Sequence, residues 1–157
     1  MAGPPTEGKT APAFSLDSTE GKAISLSDYK GRKIVLYFYP KDNTSGCTAE
    51  ACNFRDSFSD FKKAGAVILG ISPDALKSHD KFKAKFDLPF PLLADPDHAV
   101  AEKYGVWKEK SMYGKKYMGI ERSTFVIDSA GKIAKIFAKV KVPKHHEEVL
   151  EAIKAAT

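Results

Sequence analysis

The chain contains two cysteines, Cys47 and Cys52, and their sequence context suits them to redox chemistry. Cys47 follows a polar loop that comes after a strongly apolar run, so we expect its thiol at the first turn of a helix. Unpaired backbone N–H groups and the positive end of the helix dipole favour a thiolate there, and the thiolate is the nucleophilic form of cysteine. The alternative for Cys47 is a buried packing residue, as free cysteines commonly are.

Cys52 lies five residues further along the same predicted helix. In an intact helix this spacing gives a rise of ~7.5 Å and a rotation of ~140°, so the two thiols face apart. A disulfide needs Cα atoms only ~4.4–6.8 Å apart, and a Cys47–Cys52 bond therefore requires the first turns of the helix to unwind. The spacing leaves open whether Cys52 is such a partner or a packing residue. It also differs from the Cys-x-x-Cys of thioredoxin-type exchange enzymes.

Apolar patterns predict the elements that position these cysteines. Lys33–Tyr39 is almost continuously apolar, as in a strand that is buried on both faces. From Cys47 onward, aromatic residues recur at spacings of three and four, which predicts an amphipathic helix that ends near Gly65. The remaining predicted elements are strands at 11–14 and 22–26, a turn or helical stub at 27–31, a strand at 66–71, a helix begun by Ser72-Pro73 and running to Phe86, an edge strand at 88–94, a short helix at 97–104, a hairpin of 123–128 and 132–140, and a helix at 143–156.

The order β-β-β-α-β-α-β-α-β-β-α predicts an α/β fold with a central mixed β-sheet flanked by helices and an N-terminal β-hairpin. A length of 157 residues suits one domain, which we expect to span residues 1–157 with residues 1–7 flexible. The segment between Gly105 and Gly119 is predicted to be a loop that packs over the mouth of a pocket. The large side chains expected to do so are Trp107, Met112, Tyr113, Tyr117 and Met118.

Composition argues against several other classes of function. The net charge of +5 comes mostly from scattered lysines, and without a groove-reading element a nucleic-acid function is not supported. No apolar run approaches the ~20 residues that span a bilayer, and the N-terminus lacks the apolar core of a signal peptide, so we expect a soluble cytoplasmic protein without membrane partners. The histidines lack metal-ligand spacing to the cysteines, so they are interpreted as surface residues and neither a metal nor another cofactor is expected. These histidines are His79, His98, His145 and His146.

Two motifs give the chain a family resemblance. Pro40-x3-Thr44-x2-Cys47 resembles the active-site signature of peroxiredoxins, and its continuation through Asp56 is similar to the bacterioferritin-comigratory (PrxQ-type) subfamily. The resemblance extends through Gly119–Asp128 and covers nearly the whole chain from about Gly8. It implies a thioredoxin-like fold and an enzyme that reduces hydroperoxides.

The resemblance also implies a role for each residue of the site. Cys47 is the expected peroxidatic cysteine, whose thiolate attacks the peroxide oxygen and becomes a sulfenic acid. Thr44 is expected to hydrogen-bond the peroxide, and the backbone N–H groups of Gly46 and Cys47 to donate to it. Arg122 is expected to hold the thiolate and polarise the peroxide, while Pro40 shapes the pocket and excludes water.

Without the motif, other roles are available to some of these residues. Arg122 is then a strand-end arginine in a salt bridge with Glu121 or Asp128. Glu50 lies in the first turns of the helix, where a carboxylate complements the dipole, and Arg55 is given a structural role as the ion-pair partner of a neighbour.

One subtype of the subfamily has its resolving cysteine five residues on, as at Cys52, and another has it in the next helix, where this chain has no cysteine. The resemblance therefore implies that Cys52, if any residue, resolves the sulfenic acid as an intramolecular disulfide, which thioredoxin or a glutaredoxin-like dithiol then reduces. Hydrogen peroxide and organic hydroperoxides are the expected substrates, and a monomer with at most a weak dimer is the expected assembly. Ser45 departs from the pattern, since the subfamily usually has proline there, and its N–H and freer φ loosen the loop. The rival hypotheses are a redox sensor that signals to a partner and a thiol–disulfide exchange enzyme on the same fold.

Overall fold

A computed structural model of the chain describes residues 5–156. Its elements, in chain order, are β1 Ser15–Asp17, β2 Ala23–Ser25, a 3-10 helix Leu26–Tyr29, β3 Lys33–Phe38, α1 Ser45–Asp56, α2 Phe58–Lys63, β4 Ala66–Ser72, α3 Leu76–Phe86, β5 Leu92–Ala94, α4 Ala99–Lys103, β6 Trp107–Met112, β7 Lys115–Ile120, β8 Ser123–Ile127, β9 Ile133–Phe137 and α5 His145–Ala155. Among these helices, none is long and apolar enough to cross a membrane.

A five-stranded mixed sheet in the order β5-β4-β3-β8-β9 forms the centre of the fold. The apolar strand β3 lies in the middle, parallel to β4 and antiparallel to β8, which confirms the predicted mixed sheet. The register pairs Phe38, the last residue of β3, with Ser123, the first residue of β8. The loop that follows β3 therefore meets the segment that precedes β8 at the same edge of the sheet.

Helices cover both faces of this sheet, and the side chains of β3 alternate between two cores. Leu36 and Phe38 point to the core that contains α4, whereas Val35 and Tyr37 point to the core shared by α1, α2, α3 and α5. All four side chains are at most 1% exposed. Such burial on both faces is what a continuously apolar strand allows.

Several predicted boundaries are wrong. The N-terminal hairpin pairs Ser15–Asp17 with Ala23–Ser25, so its first strand lies after 11–14. The predicted helix over 47–65 begins earlier, at Ser45, and is broken at Ser57 into α1 and α2. The next helix, α3, begins only at Leu76, because Ser72 remains in β4 and the following turn is held by the Asp74 side chain.

The segment predicted as a loop at 105–119 is instead an antiparallel hairpin of β6 and β7. Its turn residues Tyr113 and Gly114 have φ values of +52° and +78°, and such left-handed pairs close two-residue hairpins. Tyr-Gly is a weaker turn signal than Asn-Gly, so the sequence does not predict this hairpin. Four of its side chains are exposed, and their packing over the mouth of a pocket stays a prediction; they are Met112, Tyr113, Tyr117 and Met118.

The predicted flexible segment 1–7 lies partly outside the described residues. Within them, the Glu7 carboxylate accepts a hydrogen bond from the backbone N–H of Ile136 at 3.0 Å, and the Gly8 N–H donates to Ile133 O at 2.8 Å. The flexibility of this segment and the extent of the single domain stay predictions.

Gly70 allows a close approach that gives a test of this packing. A Cβ atom there would lie 2.9 Å from the Tyr37 hydroxyl and 2.9 Å from Leu92 Cδ2. We expect Gly70→Ala to lower the free energy of unfolding by about 1–3 kcal/mol through overpacking, as measured by urea denaturation.

The Tyr37 hydroxyl has no hydrogen-bond partner among residues 5–156, so Tyr37→Phe is the matched second change. Tyr37→Phe removes one of the atoms that the new methyl group meets. We therefore expect the double variant to regain part of the free energy of unfolding that Gly70→Ala loses. Strict additivity of the two substitutions contradicts this account of the contact.

Candidate active site

Cys47 lies in the first turn of α1, just after the polar loop that follows β3. Its side chain is only 1% exposed, and neither it nor Cys52 is in a disulfide. Thr44 is the N-cap residue, with extended backbone angles, and its carbonyl accepts the first helical hydrogen bond, from Thr48 N at 2.8 Å. The backbone N–H groups between these residues point out of the helix end, where they favour a negative charge.

Arg122 reaches Cys47 from the segment between β7 and β8. Its Nη2 donates to Cys47 Sγ at 3.2 Å, and its Nη1 donates to Glu50 Oε1 at 2.6 Å. The alternative salt bridge of Arg122 with Glu121 or Asp128 is wrong. Glu121 pairs instead with Lys108 at 3.2 Å.

The absence of a side chain at Gly46 makes room for the guanidinium. A Cβ atom on Gly46 would lie 3.2 Å from Arg122 Nη2, which is closer than most such contacts. Burial lowers the pKa of Arg122, but the negative charges of Glu50 and Cys47 outweigh this effect and raise it. The arginine is therefore a permanent positive charge beside the sulfur.

Glu50 is the residue of this site whose role sequence reasoning missed. It lies one turn after Cys47 on the same face of α1, is 2% exposed, and its Oε2 has no hydrogen-bond partner among residues 5–156. Burial raises the pKa of Glu50 to about 7, although the Arg122 charge and hydrogen bond act in the opposite direction. The i, i+3 spacing from Cys47 was the available signal, but it does not identify the distant arginine.

Thr44 and Pro40 lie in the loop between β3 and α1. The exposed Thr44 hydroxyl donates to the backbone carbonyl of Lys41 at 3.0 Å, which leaves its oxygen lone pairs free to accept a hydrogen bond. Pro40 is half-buried and follows the buried Tyr39.

Cys52 is half-buried on α1, which is an unbroken helix from Ser45 to Asp56. The two thiols are therefore on different faces of one helix, as the spacing predicted. Arg55 pairs with its exposed neighbour Asp56 at 2.9 Å, which confirms its predicted ion pair, and also donates to Phe86 O at 2.8 Å.

The interpretation of the histidines as surface residues is wrong for two of them. His79 is 0% exposed, between Asp42 and the backbone carbonyl of Leu93, and His145 is 2% exposed, with Nε2 2.8 Å from the Thr124 hydroxyl. Burial, together with nearby positive charge, lowers the pKa of His145 to about 4, so its ring is neutral at neutral pH. Both rings can be buried because residues distant in sequence supply their hydrogen bonds. The sequence near each histidine does not reveal these partners, so the prediction of surface positions fails.

The fold and the site thus define a class: a thioredoxin-like α/β protein with a buried cysteine at a helix N-terminus and an arginine that donates a hydrogen bond to its sulfur. The AhpC/TSA family model matches residues 8–136. The chain is 55% identical over 143 residues to a putative peroxiredoxin bcp of Coxiella burnetii, covering 91% of this chain and 95% of that one. It is 54% identical over 147 residues to peroxiredoxin Bcp of Bacillus subtilis, covering 94% of both.

Solved structures agree with these matches. A Cys-to-Ser mutant of Xylella fastidiosa PrxQ superposes with a TM-score of 0.91 at 40% identity, covering 98% of both chains. The bacterioferritin comigratory protein of Xanthomonas campestris superposes with a TM-score of 0.89 at 44% identity, covering 96% of this chain and 98% of that one. The chain belongs to the AhpC/TSA family, in its Bcp/PrxQ branch, and is a peroxiredoxin that takes a hydroperoxide substrate and a thiol reductant.

The raised pKa of Glu50 predicts a dependence of stability on pH. Between the ordinary value of 4.5 and the folded value of about 7, the folded protein binds more protons at this site than the unfolded chain. The free energy of unfolding therefore falls as pH rises through this window, and ionised Glu50 costs about 3 kcal/mol above it. Glu50→Gln removes the titration, so we expect the variant to gain stability relative to the wild-type protein as pH rises.

Urea denaturation of the reduced protein at about pH 5, 6, 7 and 8 measures this difference. The matched control is Asp60→Asn, which changes an exposed carboxylate on α2 and should show no such trend. A constant difference between Glu50→Gln and the wild-type protein over this range contradicts the assignment.

Proposed function

We propose that Cys47 is the peroxidatic cysteine of this enzyme. The observation that carries the proposal is the 3.2 Å contact from Arg122 Nη2 to the sulfur of Cys47, at the N-terminal end of α1. The thiolate attacks one oxygen of the hydroperoxide, the O–O bond breaks, and an S–O bond forms. Cys47 becomes a sulfenic acid, and the leaving oxygen takes a proton and departs as water or an alcohol.

The other predicted site residues act on this step. Arg122 stabilises the thiolate and the negative charge that grows on the leaving oxygen, and the backbone N–H groups of Gly46 and Cys47 donate to the peroxide. Because the Thr44 hydroxyl already donates to Lys41 O, we assign its oxygen the role of acceptor for the peroxide O–H. Pro40 shields the sulfur from water.

Cys52 is proposed as the resolving cysteine. Its thiol attacks the sulfenic sulfur, the S–O bond breaks, water leaves, and a Cys47–Cys52 disulfide forms. The first turns of α1 must unwind for this step, because the helix separates the two thiols. A thioredoxin or glutaredoxin-like dithiol then reduces the disulfide and returns both thiols.

Alkyl hydroperoxides as well as hydrogen peroxide are the proposed substrates. Support for the alkyl class comes from the Xanthomonas campestris relative, whose structures are described as concerning alkyl peroxide reduction. We also propose that the enzyme works as a monomer in the cytoplasm, a compartment in which thiols are kept reduced.

Replacement of each cysteine separates the two steps. We expect Cys47→Ser to abolish peroxide consumption, and Cys52→Ser to form one sulfenic acid without an intramolecular disulfide. The wild-type protein treated with one equivalent of peroxide should become lighter by two hydrogen atoms and yield a cross-linked Cys47–Cys52 peptide. Mass spectrometry of the intact protein measures the change in mass, and mass spectrometry of the digested protein detects the cross-linked peptide. A near-normal rate of peroxide consumption by Cys47→Ser excludes the mechanism.

Arg122 is tested by two substitutions. Arg122→Met removes the donor and the charge, and we expect sulfenic acid formation to slow by about 10²-fold in stopped-flow measurements. Arg122→Lys keeps the charge, but its single ammonium cannot reproduce the planar fork that contacts Cys47 and Glu50, so we expect an intermediate loss. Arg32→Met, at an exposed arginine, is the control. Equal rates for the wild-type and Arg122→Met proteins contradict this role.

A further inference from the structure

A buried pair outside the contacts of Cys47 joins the loop before α1 to helix α3. His79 Nδ1 lies 2.7 Å from Asp42 Oδ2, and His79 Nε2 lies 2.9 Å from the backbone carbonyl of Leu93. The carbonyl only accepts hydrogen bonds, so Nε2 carries a proton. A second proton lies between Nδ1 and the carboxylate, and the pair is therefore electroneutral as a unit.

Asp42 makes three further hydrogen bonds. Its Oδ1 accepts from the Tyr39 hydroxyl at 2.6 Å, its Oδ2 accepts from the Ser78 hydroxyl at 2.8 Å, and its backbone N–H donates to Asp74 Oδ2 at 2.8 Å. Burial, with Asp42 adding to it, raises the pKa of Tyr39, so its hydroxyl remains a donor. Asp42 is 6% exposed and is fixed through both side chain and backbone.

The same atoms argue against a cation at this place. Asp42, Asp74 and His79 are the group within residues 5–156 whose donor atoms are close enough to hold a metal ion. Each of these donor atoms already has a hydrogen-bond partner, and Ser72 occupies Asp74 Oδ2 at 2.6 Å. The cluster is satisfied without an ion.

Asp42 is the buried member of a loop whose neighbours are exposed. Lys41, Asn43 and Thr44 are all exposed, and Asn43 has a left-handed φ of +63°, a conformation that asparagine tolerates. Asp42 is therefore the buried anchor of this loop, while the other side-chain contacts of the loop are exposed, such as Lys85 Nζ to Asn43 Oδ1 at 3.2 Å. Thr44, which caps α1, lies two residues after that side chain.

We propose that Asp42 and His79 form a positioning unit that fixes the loop of Pro40 and Thr44 against the Cys47 sulfur. The unit ties this loop to α3, and so the loop keeps its place when the first turns of α1 unwind. This inference rests on the proposed function, because it assigns to Thr44 and Pro40 their proposed roles toward the peroxide.

The test compares two reactions of Cys47 in His79→Phe. This variant keeps a ring in the buried site but removes both hydrogen bonds of His79, so the Asp42 carboxylate keeps only its contacts with the Tyr39 and Ser78 hydroxyls. We expect kcat/KM for the hydroperoxide to fall by about tenfold or more. Alkylation of Cys47 by iodoacetamide should keep its rate, because the contact with Arg122 and the helix end are unchanged.

Three further proteins make the result specific. The single variant Asp42→Asn should retain most of the wild-type rate with peroxide, because an amide can donate to Nδ1 of a neutral ring and still accept from Tyr39. Tyr104→Phe removes a hydrogen bond to Pro12 O on the opposite side of the sheet and is the control for lost stability. Ser78→Ala removes one hydrogen bond to Asp42 and is used in place of His79→Phe if that variant does not fold. It should lower kcat/KM for the hydroperoxide by a smaller factor and leave the alkylation rate unchanged.

Nuclear magnetic resonance gives a second readout on the folded wild-type protein. The side-chain nitrogens of His79 should show Nε2 carrying a slowly exchanging proton and Nδ1 sharing one with Asp42. A ring with an unprotonated Nδ1 that shares no proton overturns the assigned pair.

The kinetic outcomes are distinct. Failure of the wild-type protein to form a sulfenic acid at Cys47 contradicts the proposed function itself. If the wild-type protein reacts and His79→Phe or Ser78→Ala reacts equally fast with peroxide, the positioning role alone is wrong. Equal losses in the peroxide and alkylation reactions also overturn it, since they indicate general damage to the site.

Discussion

The contact of one guanidinium with both Cys47 and Glu50 is the interaction on which the site depends. Burial makes the Glu50 carboxylate costly to ionise, and the Arg122 guanidinium offsets part of this cost while it also donates a hydrogen bond to the Cys47 sulfur. This arrangement restricts the neighbouring sequence. A side chain at Gly46 would crowd the guanidinium, and a carboxylate one helical turn after the cysteine lets both acceptors face the same arginine.

The sheet brings these groups together across 75 positions of sequence. Because β3 and β8 are antiparallel neighbours, the end of one strand lies beside the start of the other, and Phe38 is paired with Ser123. The residue before Ser123 is Arg122, and the loop after β3 leads to Cys47. A parallel arrangement of these two strands would place the arginine at the opposite edge. The contact between Arg122 and Cys47 therefore depends on the mixed topology.

Sequence patterns were sufficient where the signal was local. The apolar run of β3, the placement of Cys47 at a helix start and the half-turn separation of Cys52 all follow from residue periodicity. They were insufficient where the partner was distant, as for Glu50 with Arg122 and for the buried His79, because burial of a polar group is decided by contacts that no window of sequence contains. The helix break at Ser57 has a different reason, since no glycine or proline marks it, and the Tyr113-Gly114 turn lacks the asparagine or aspartate that makes a strong hairpin signal.

The break at Ser57 bears on how far a local opening can spread. α1 has twelve residues, and unwinding it from Ser45 through Cys52 leaves only the four residues Asn53–Asp56, too few to persist as an isolated helix. Phe54, which is fully buried, holds that remnant against the core, while α2 is a separate helix with its own buried Phe61. The proposed unwinding of α1 would therefore end before Ser57. It would take Cys47 and Ala51 out of the core and leave Phe54 and Phe61 packed in it.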